Sequence, residues 1–132
     1  MERMIMADLL AETLNIMKVH RRGGKDECKV PASKLIGGVL KLLQREEYVK
    51  EFEFVDDSKS GYYLVKGLGP INDCGVIKPR FAIKQDEISN VEEQYLPSKD
   101  FGVIVISTQK GLVTNKEIRD MKSGGRLIAY VY

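Results

Sequence analysis

Residues 101–132 read FGVIVISTQKGLVTNKEIRDMKSGGRLIAYVY. Val103 to Ile106 form a short unbroken apolar run, the pattern of a strand covered on both faces. Straight after it come Ser107, Thr108, Gln109, Lys110 and Gly111. TNKE, residues 114–117, is a capping box: the Thr114 hydroxyl caps a helix start while Glu117 reaches back. That helix is short and stops by Gly124-Gly125, and RLIAYVY is a final strand. A buried strand therefore delivers a compact polar and cationic segment to one fixed place, next to a second strand.

Working back from this stretch, GVIKPRFAIK (75–84) is an extended segment interrupted by Pro79, so an edge or kinked strand. DEISNVEEQYLP sets Ile88, Val91 and Tyr95 at helical spacing and ends at Pro97. EFEFV alternates with Phe52 and Phe54 on one face. The turn DDSKSG and the strand YYLVK complete a hairpin. SKLIGGVLKLLQREEYV is helical, with Ile36, Val39, Leu40 and Leu43 facing one way and Ser33 as N-cap. Gly37-Gly38 within it costs about 1 kcal/mol per glycine relative to alanine, which favours close packing of another element there over approach of a ligand. ECKVPAS is a short strand ending at Pro31. The first helix buries Met6, Leu10, Leu14 and Met17, flanked by Leu9 and Ile16. His20, Arg21 and Arg22 suit its C-terminal dipole, and Gly23-Gly24 stops it. GLGPINDCG reads as loop. Its G-x-G lacks the third glycine and a following helix, so it makes no dinucleotide site.

The order is helix, strand, helix and hairpin, then mainly strands with short helices: an α+β fold of two small lobes. The N-terminal lobe is residues 1–68 and the mostly β C-terminal lobe residues 69–132. At 132 residues, 43% hydrophobic and 30% charged, the chain has an ordinary globular composition. No apolar run approaches the ~20 residues that span a bilayer. The opening MERMIMADLLAETL carries Glu2, Asp8 and Glu12, unlike a signal or transit peptide. The expected compartment is the cytoplasm, with no membrane partner.

Net charge is only +2, so the distribution matters more than the total. From Ser107 onward, Lys110, Lys116, Arg119, Lys122 and Arg126 face only Glu117 and Asp120. Acids gather in REEYVKEFEFVDD and QDEISNVEEQ. The carboxylate pairs Asp56-Asp57 and Glu92-Glu93 read as solvated surface. Cys28, Cys74 and His20 have no zinc spacing and lack a fourth ligand. Both cysteines read as reduced thiols. No triad, P-loop or metal cluster is present. The sequence therefore implies no catalytic residues, metal or cofactor.

RNA binding accounts better for the end of the chain. Hydroxyls at Ser107 and Thr108 donate and accept, as a ribose 2′-OH, base edge or phosphate requires. Gln109 offers a donor and an acceptor together. Lys110 supplies a phosphate contact, and Gly111 permits close approach or a positive φ. Lys116 and Arg119 follow on the helix. By residue chemistry alone, the segment is equally a polar strand-to-helix connection. No aromatic stacking ladder of the kind that holds loose single strands is evident, which favours a structured RNA.

With these residues in hand, the chain resembles the family of small-subunit ribosomal protein eight, most closely its archaeal branch. MADLLAETLNIMK, VPASKLIGGVLKLLQREEYVKEFEF, GVIKPRFAIK, YLPSKDFG, STQKG and GGRLIAYVY fall in register over nearly the whole chain. The resemblance implies a structural protein that binds the central domain of small-subunit ribosomal RNA, acts early in assembly and contacts neighbouring small-subunit proteins. It would be monomeric when free and needs no cofactor. STQKG falls on the family's S-T-S-x-G loop. Ser107, Thr108 and Gly111 match it, while Gln109 replaces the usual second serine. PASK makes Ser33 and Lys34 expected contacts to the RNA backbone. Thr114, Lys116 and Arg80 complete the expected RNA-binding set. Arg126 stands where bacterial members usually carry an acid. Some family members also repress translation by binding messenger RNA, and this is the alternative function. A mostly ribosome-free pool bound to messenger would favour it over co-sedimentation with the small subunit.

Overall fold

The computed structural model describes residues 9–98, 100–121 and 123–132. The chain divides into two compact units between Ile71 and Asn72, and each is described by itself. The architecture is α+β throughout.

In the first unit, α1 (Leu9–Arg22) buries Leu10, Thr13, Leu14 and Met17, the stripe expected from periodicity. Met6 lies outside the described residues. Thr13 is buried mid-helix because its hydroxyl donates to the Leu9 carbonyl at 2.8 Å. Gly24, at φ +81°, closes the helix end, and the Lys25 amide returns to the His20 carbonyl at 2.9 Å. Strand β1 (Glu27–Pro31) leads to α2 (Lys34–Arg45), whose inward side carries Ile36, Val39, Leu40, Leu42 and Leu43. Helix α2 ends at Arg45, earlier than the periodic pattern suggests. Glu47 takes φ +69°, and the Tyr48 amide caps the Leu43 carbonyl at 2.8 Å.

Strands β2 (Val49–Val55) and β3 (Tyr62–Leu68) form the expected hairpin, and the sheet order is β1-β3-β2, all antiparallel. Its turn is tied by Asp57, whose carboxylate accepts from the Lys59 and Gly61 amides at 3.0 Å each. A Cβ on Gly37 would sit 2.6 Å from the Tyr63 hydroxyl oxygen. Packing, not ligand approach, is therefore what the glycine inside α2 permits.

The second unit is a five-stranded antiparallel sheet. Strands β4 (Cys74–Val76), β8 (Gly125–Val131), β6 (Val103–Thr108) and β7 (Gly111–Thr114) pair in that order, and β5 (Ala82–Ile83) also pairs with β8. Of GLGPINDCG, only the middle is loop: β3 runs through Leu68 and β4 begins at Cys74. A 3-10 turn (Gln85–Glu87) leads into α3 (Ile88–Tyr95), and α4 (Asn115–Ile118) is a single turn.

Strand β6 is central, paired on both sides, and Val103 to Ile106 are buried throughout. One face of the sheet shares a core with α3 and α4: Ile77, Ile83, Ile88, Val91, Leu96, Ile104, Ile106, Val113, Ile118 and Leu127. Among the described residues, no helix is long and apolar enough to cross a membrane.

Glu92 is not solvated surface but 2% exposed, on the inner side of α3. Its carboxylate accepts from the Asn115 amide nitrogen and from the Arg119 guanidinium. Asn115, itself buried, accepts in turn from the Ile104 amide at 3.1 Å. One acid thus joins α3 and α4 to the start of β6, and its burial is compensated because every lone pair it spends is matched.

Candidate nucleic-acid interface

STQKG is the tip of a hairpin, not a plain connection from strand to helix. Thr108 pairs with Gly111 across the β6–β7 ladder, leaving Gln109 and Lys110 as a two-residue turn. Neither turn residue takes a positive φ; Gly111, the first residue after the turn, does, at +109°, with nothing within 4 Å of where a Cβ would lie. The glycine serves backbone conformation there, not space.

The two hydroxyls have separate duties. Thr108 Oγ1 donates to the Gly111 carbonyl at 2.8 Å and accepts from the Lys110 amide at 3.1 Å. Its proton is spent on holding the turn, so only a lone pair remains for a ligand. Ser107 is half-buried, and among the described residues its hydroxyl has no hydrogen-bond partner. Among those residues, its donor and acceptor are both unused. Gln109 and Lys110 are exposed at the tip.

Register adds a neighbour that the residue pattern did not show. Ser107 pairs with Leu112 on β7 and with Arg126 on β8, and Arg126 pairs with Ala82 on β5. Directly opposed residues share a face. Leu112, Ser107, Arg126 and Ala82 therefore form one row across four strands. A one-residue register shift, in which β8 carries an extra residue opposite the Val105–Ile106 step, sets this alignment.

Arg126 is exposed, and its Nη1 donates to the Arg80 carbonyl at 3.2 Å. That contact fixes the Arg80 backbone beside Arg126. Phe81, next in the chain, is 51% exposed. Arg126 and Phe81 were not among the expected contacts. The alternation that marks β8 as a strand could have placed Arg126 on an outer face, but only its pairing partners put it beside Ser107.

Gly124 and Gly125 make this arrangement possible. A Cβ on Gly125 would lie 2.6 Å from the Ser107 carbonyl oxygen and 2.7 Å from Ile106 Cγ2, and one on Gly124 would overlap the Ile83 carbonyl oxygen. The glycine pair is where β5, β6 and β8 converge.

Thr114 is set apart from the other candidates. It is 2% exposed, and its hydroxyl accepts from the Glu117 amide at 3.3 Å, while Glu117 Oε1 accepts from the Thr114 amide at 3.1 Å. The capping box consumes it, so it is a cap for α4 and not a surface contact. Lys116 is exposed on α4, and Arg119 is held by Glu92.

In the first unit, Ser33 caps α2, accepting from the Ile36 amide at 3.1 Å, and its carbonyl accepts from the Tyr63 hydroxyl at 3.4 Å. Lys34 is exposed at the first helical position. Phe54 lies beside Tyr63 with ring centroids 6.1 Å apart and is itself exposed. A cation and an open aromatic ring thus flank a helix N-terminus.

In the first unit, Cys28 and His20, the pair a cysteine nucleophile with a histidine base would need, line a cavity of about 630 Å³ that is open to solvent, with Lys25, Asp26 and Leu64 among others. His20 Nδ1 donates to the Ile16 carbonyl at 2.9 Å. Burial, and secondly the nearby Glu27 carboxylate, pushes the Cys28 thiol up to about 11. A thiol so shifted is a poor nucleophile at neutral pH. Among the described residues, no three His, Cys, Asp or Glu side chains are placed to hold a metal ion.

The same shift has a measurable consequence for stability. The folded value lies above the ordinary 9.0, so the unfolded chain ionises first. The contribution of Cys28 is complete below about pH 9 and is lost as pH rises toward about 11. Iodoacetamide near pH 8 is expected to modify Cys28 at least tenfold more slowly in the folded protein than in urea. Equal rates would contradict the burial.

The family model described as ribosomal protein S8 matches residues 8–132. The chain is 45% identical over 130 residues to the small ribosomal subunit protein uS8 of Methanococcoides burtonii, covering 98% of this chain and 100% of that protein. It is 46% identical over 130 residues, with the same coverage, to the small ribosomal subunit protein uS8 of Caldivirga maquilingensis.

Proposed function

The chain belongs to the ribosomal protein S8 family, as a ribosomal-RNA-binding structural component of the small ribosomal subunit of archaeal type, and from that premise we propose how its surface meets the RNA. The second unit reads an irregular helix in the central domain of small-subunit RNA through the end of its sheet. The observation that carries this reading is the row in which Ser107, its hydroxyl unengaged among the described residues, stands beside Arg126 on a rigid sheet.

Each residue has a distinct part. Ser107 donates to and accepts from a ribose 2′-OH or a base edge. Gln109 presents its amide at the same tip. Thr108 and Gly111 hold the turn in shape. Lys110, Arg126, Arg80 and Lys116 meet phosphates, and Phe81 offers a face on which an unpaired base of the irregular helix can stack. In the first unit, Ser33 and Lys34 present a helix N-terminus and a cation to the sugar-phosphate backbone. The protein acts without catalysis, a reading supported by the raised Cys28 thiol. It is monomeric when free and, in the subunit, meets neighbouring proteins as well as RNA.

Binding to a naked central-domain RNA fragment over a range of salt tests this. Lys110→Ala is expected to weaken binding severalfold for correct and altered RNA alike and to flatten the salt slope by about one unit. Ser107→Ala is expected to leave the slope alone and reduce discrimination between the two RNAs by roughly 1–2 kcal/mol. Thr108→Val, which keeps shape and removes the turn's hydroxyl, is expected to loosen binding without that loss of discrimination. If Lys110→Ala and Ser107→Ala both leave binding unaltered, the assignment of the tip is wrong.

A further inference from the structure

The same sheet carries a second surface at its other end. Four aromatic rings follow one another there. Phe101 and Tyr132 have centroids 6.2 Å apart, and Tyr132 and Tyr130 are 6.3 Å apart at an interplanar angle of 22°. Tyr130 and Tyr95 are 5.4 Å apart at 28°. The row draws on the end of α3, the turn before β6 and the end of β8. Tyr95, Tyr130 and Tyr132 are half-buried, and Phe101 is 47% exposed. Periodicity along the chain does not announce this row. Its rings are scattered from residue 95 to residue 132 and meet only on folding.

The row is separate from the RNA-facing tip. Tyr130 pairs with Ile104 near the start of β6, whereas Ser107 and Thr108 end that strand. At ~3.3 Å per residue, the two lie ~10 Å or more apart along the strand.

Its electrostatics are also of the opposite kind. Asp73 precedes β4, Glu93 lies on α3, and Asp100 sits beside Phe101 in the chain. Lys99 is the one basic residue of the segments supplying the rings. Burial first, and then the Asp73 carboxylate, hold the Tyr130 phenol above its ordinary range. Stacked tyrosines bounded by carboxylates repel a phosphate backbone and favour a flat cation. A guanidinium stacks on such rings and can meet a carboxylate in the same plane.

We propose that the Tyr95–Tyr130–Tyr132–Phe101 face docks an extended, arginine-bearing segment of another protein. Its guanidinium groups stack on the rings and pair with Asp100. The inference does not depend on the tip binding RNA, because it uses different residues at the opposite end of the sheet.

The test uses the full chain and a fluorescent twelve-residue peptide of alternating arginine and glycine. Its lysine counterpart and a twelve-nucleotide oligouridylate serve as comparisons. The arginine peptide is expected to bind with a dissociation constant below about 1 mM, and the lysine peptide at least threefold more weakly. Phe101→Ala and Tyr132→Ala are each expected to weaken the arginine peptide at least threefold, and Asp100→Asn to weaken it further at low salt. Ser107→Ala is expected to leave peptide affinity where it was. Phe101 is an exposed side chain, so its removal leaves the core intact.

Absent binding, equal affinity for the two peptides, or indifference to Phe101→Ala would overturn the proposal. Oligouridylate binding that weakens on Phe101→Ala would also overturn it, by making the face a single-stranded RNA platform instead.

Discussion

Replacing Glu92 with alanine is expected to cost about 3 kcal/mol of stability, while the same change one residue later at Glu93 costs no more than about 0.5 kcal/mol. The two acids are neighbours in the chain and face opposite environments: Glu92 is enclosed and Glu93 is exposed. Removing the Glu92 carboxylate leaves the buried Asn115 amide without its acceptor and releases Arg119 from its partner. A buried donor left unsatisfied costs about 1–3 kcal/mol, and the loss of one member of a buried charged pair about 3–5 kcal/mol. Arg119 is partly exposed, so water recovers some of the second figure, and the lower end applies. With a urea slope near 1.5 kcal/mol/M, the midpoint should fall by about 2 M. Glu92→Gln, which keeps an acceptor for Asn115 and loses the charge, should fall between the two alanine variants. Equal midpoints for Glu92→Ala and Glu93→Ala would show that the network stabilises nothing.

Gly125→Ala is expected to lower RNA affinity by more than tenfold, far more than its cost to stability suggests. The added carbon would sit 2.6 Å from the Ser107 carbonyl oxygen and 3.0 Å from Thr108 Cγ2. Neither can move alone, because Ser107 is in the ladder with both Leu112 and Arg126. The end of β6 must shift away from β8, and the Ser107–Arg126 row opens. Overpacking of this sort costs about 1–3 kcal/mol, which leaves a measurable folded population. A misplacement near 1 Å in a contact set that depends on geometry is enough to lose its directional bonds. Gly111→Ala provides the contrast, since its Cβ meets nothing within 4 Å and only the positive φ is strained. Its effect should be confined to the turn. Full RNA affinity in Gly125→Ala would mean that the row is not the reading surface.

Much of this arrangement was legible in the residues, and the exceptions share a cause. The run Val103 to Ile106 announced a central strand because nothing polar interrupts it. Helical stripes placed α1, α2 and α3, and the Thr114–Glu117 box placed α4, because these signals are local. Strand β7 was not legible. Its four residues end in the helix cap, and the capping signal masks the strand signal. Glu92 looked like its neighbour because its partners lie 23 and 27 residues away. The tip residues Ser107, Gln109 and Lys110 were chosen on chemistry, and the fold leaves them available. Thr108 has the same chemistry, but its hydroxyl holds the turn; the Thr114 hydroxyl caps α4, as its capping box announces. Arg126 was visible only as a charge until the β6–β8 register set it beside Ser107.

Gln109→Cys, carrying an iron chelate for directed hydroxyl-radical cleavage, tests the central claim most directly. Position 109 is exposed at the hairpin tip, while the native cysteines Cys28 and Cys74 are buried and outside any disulfide. With the labelled protein on naked small-subunit RNA, strand scission should be confined to the two sides of one irregular helix in the central domain. The same chelate on Glu53→Cys, an exposed position in the first unit, should give a different pattern. Scission elsewhere in the RNA, or none above background from position 109 while the protein remains bound, would contradict the account.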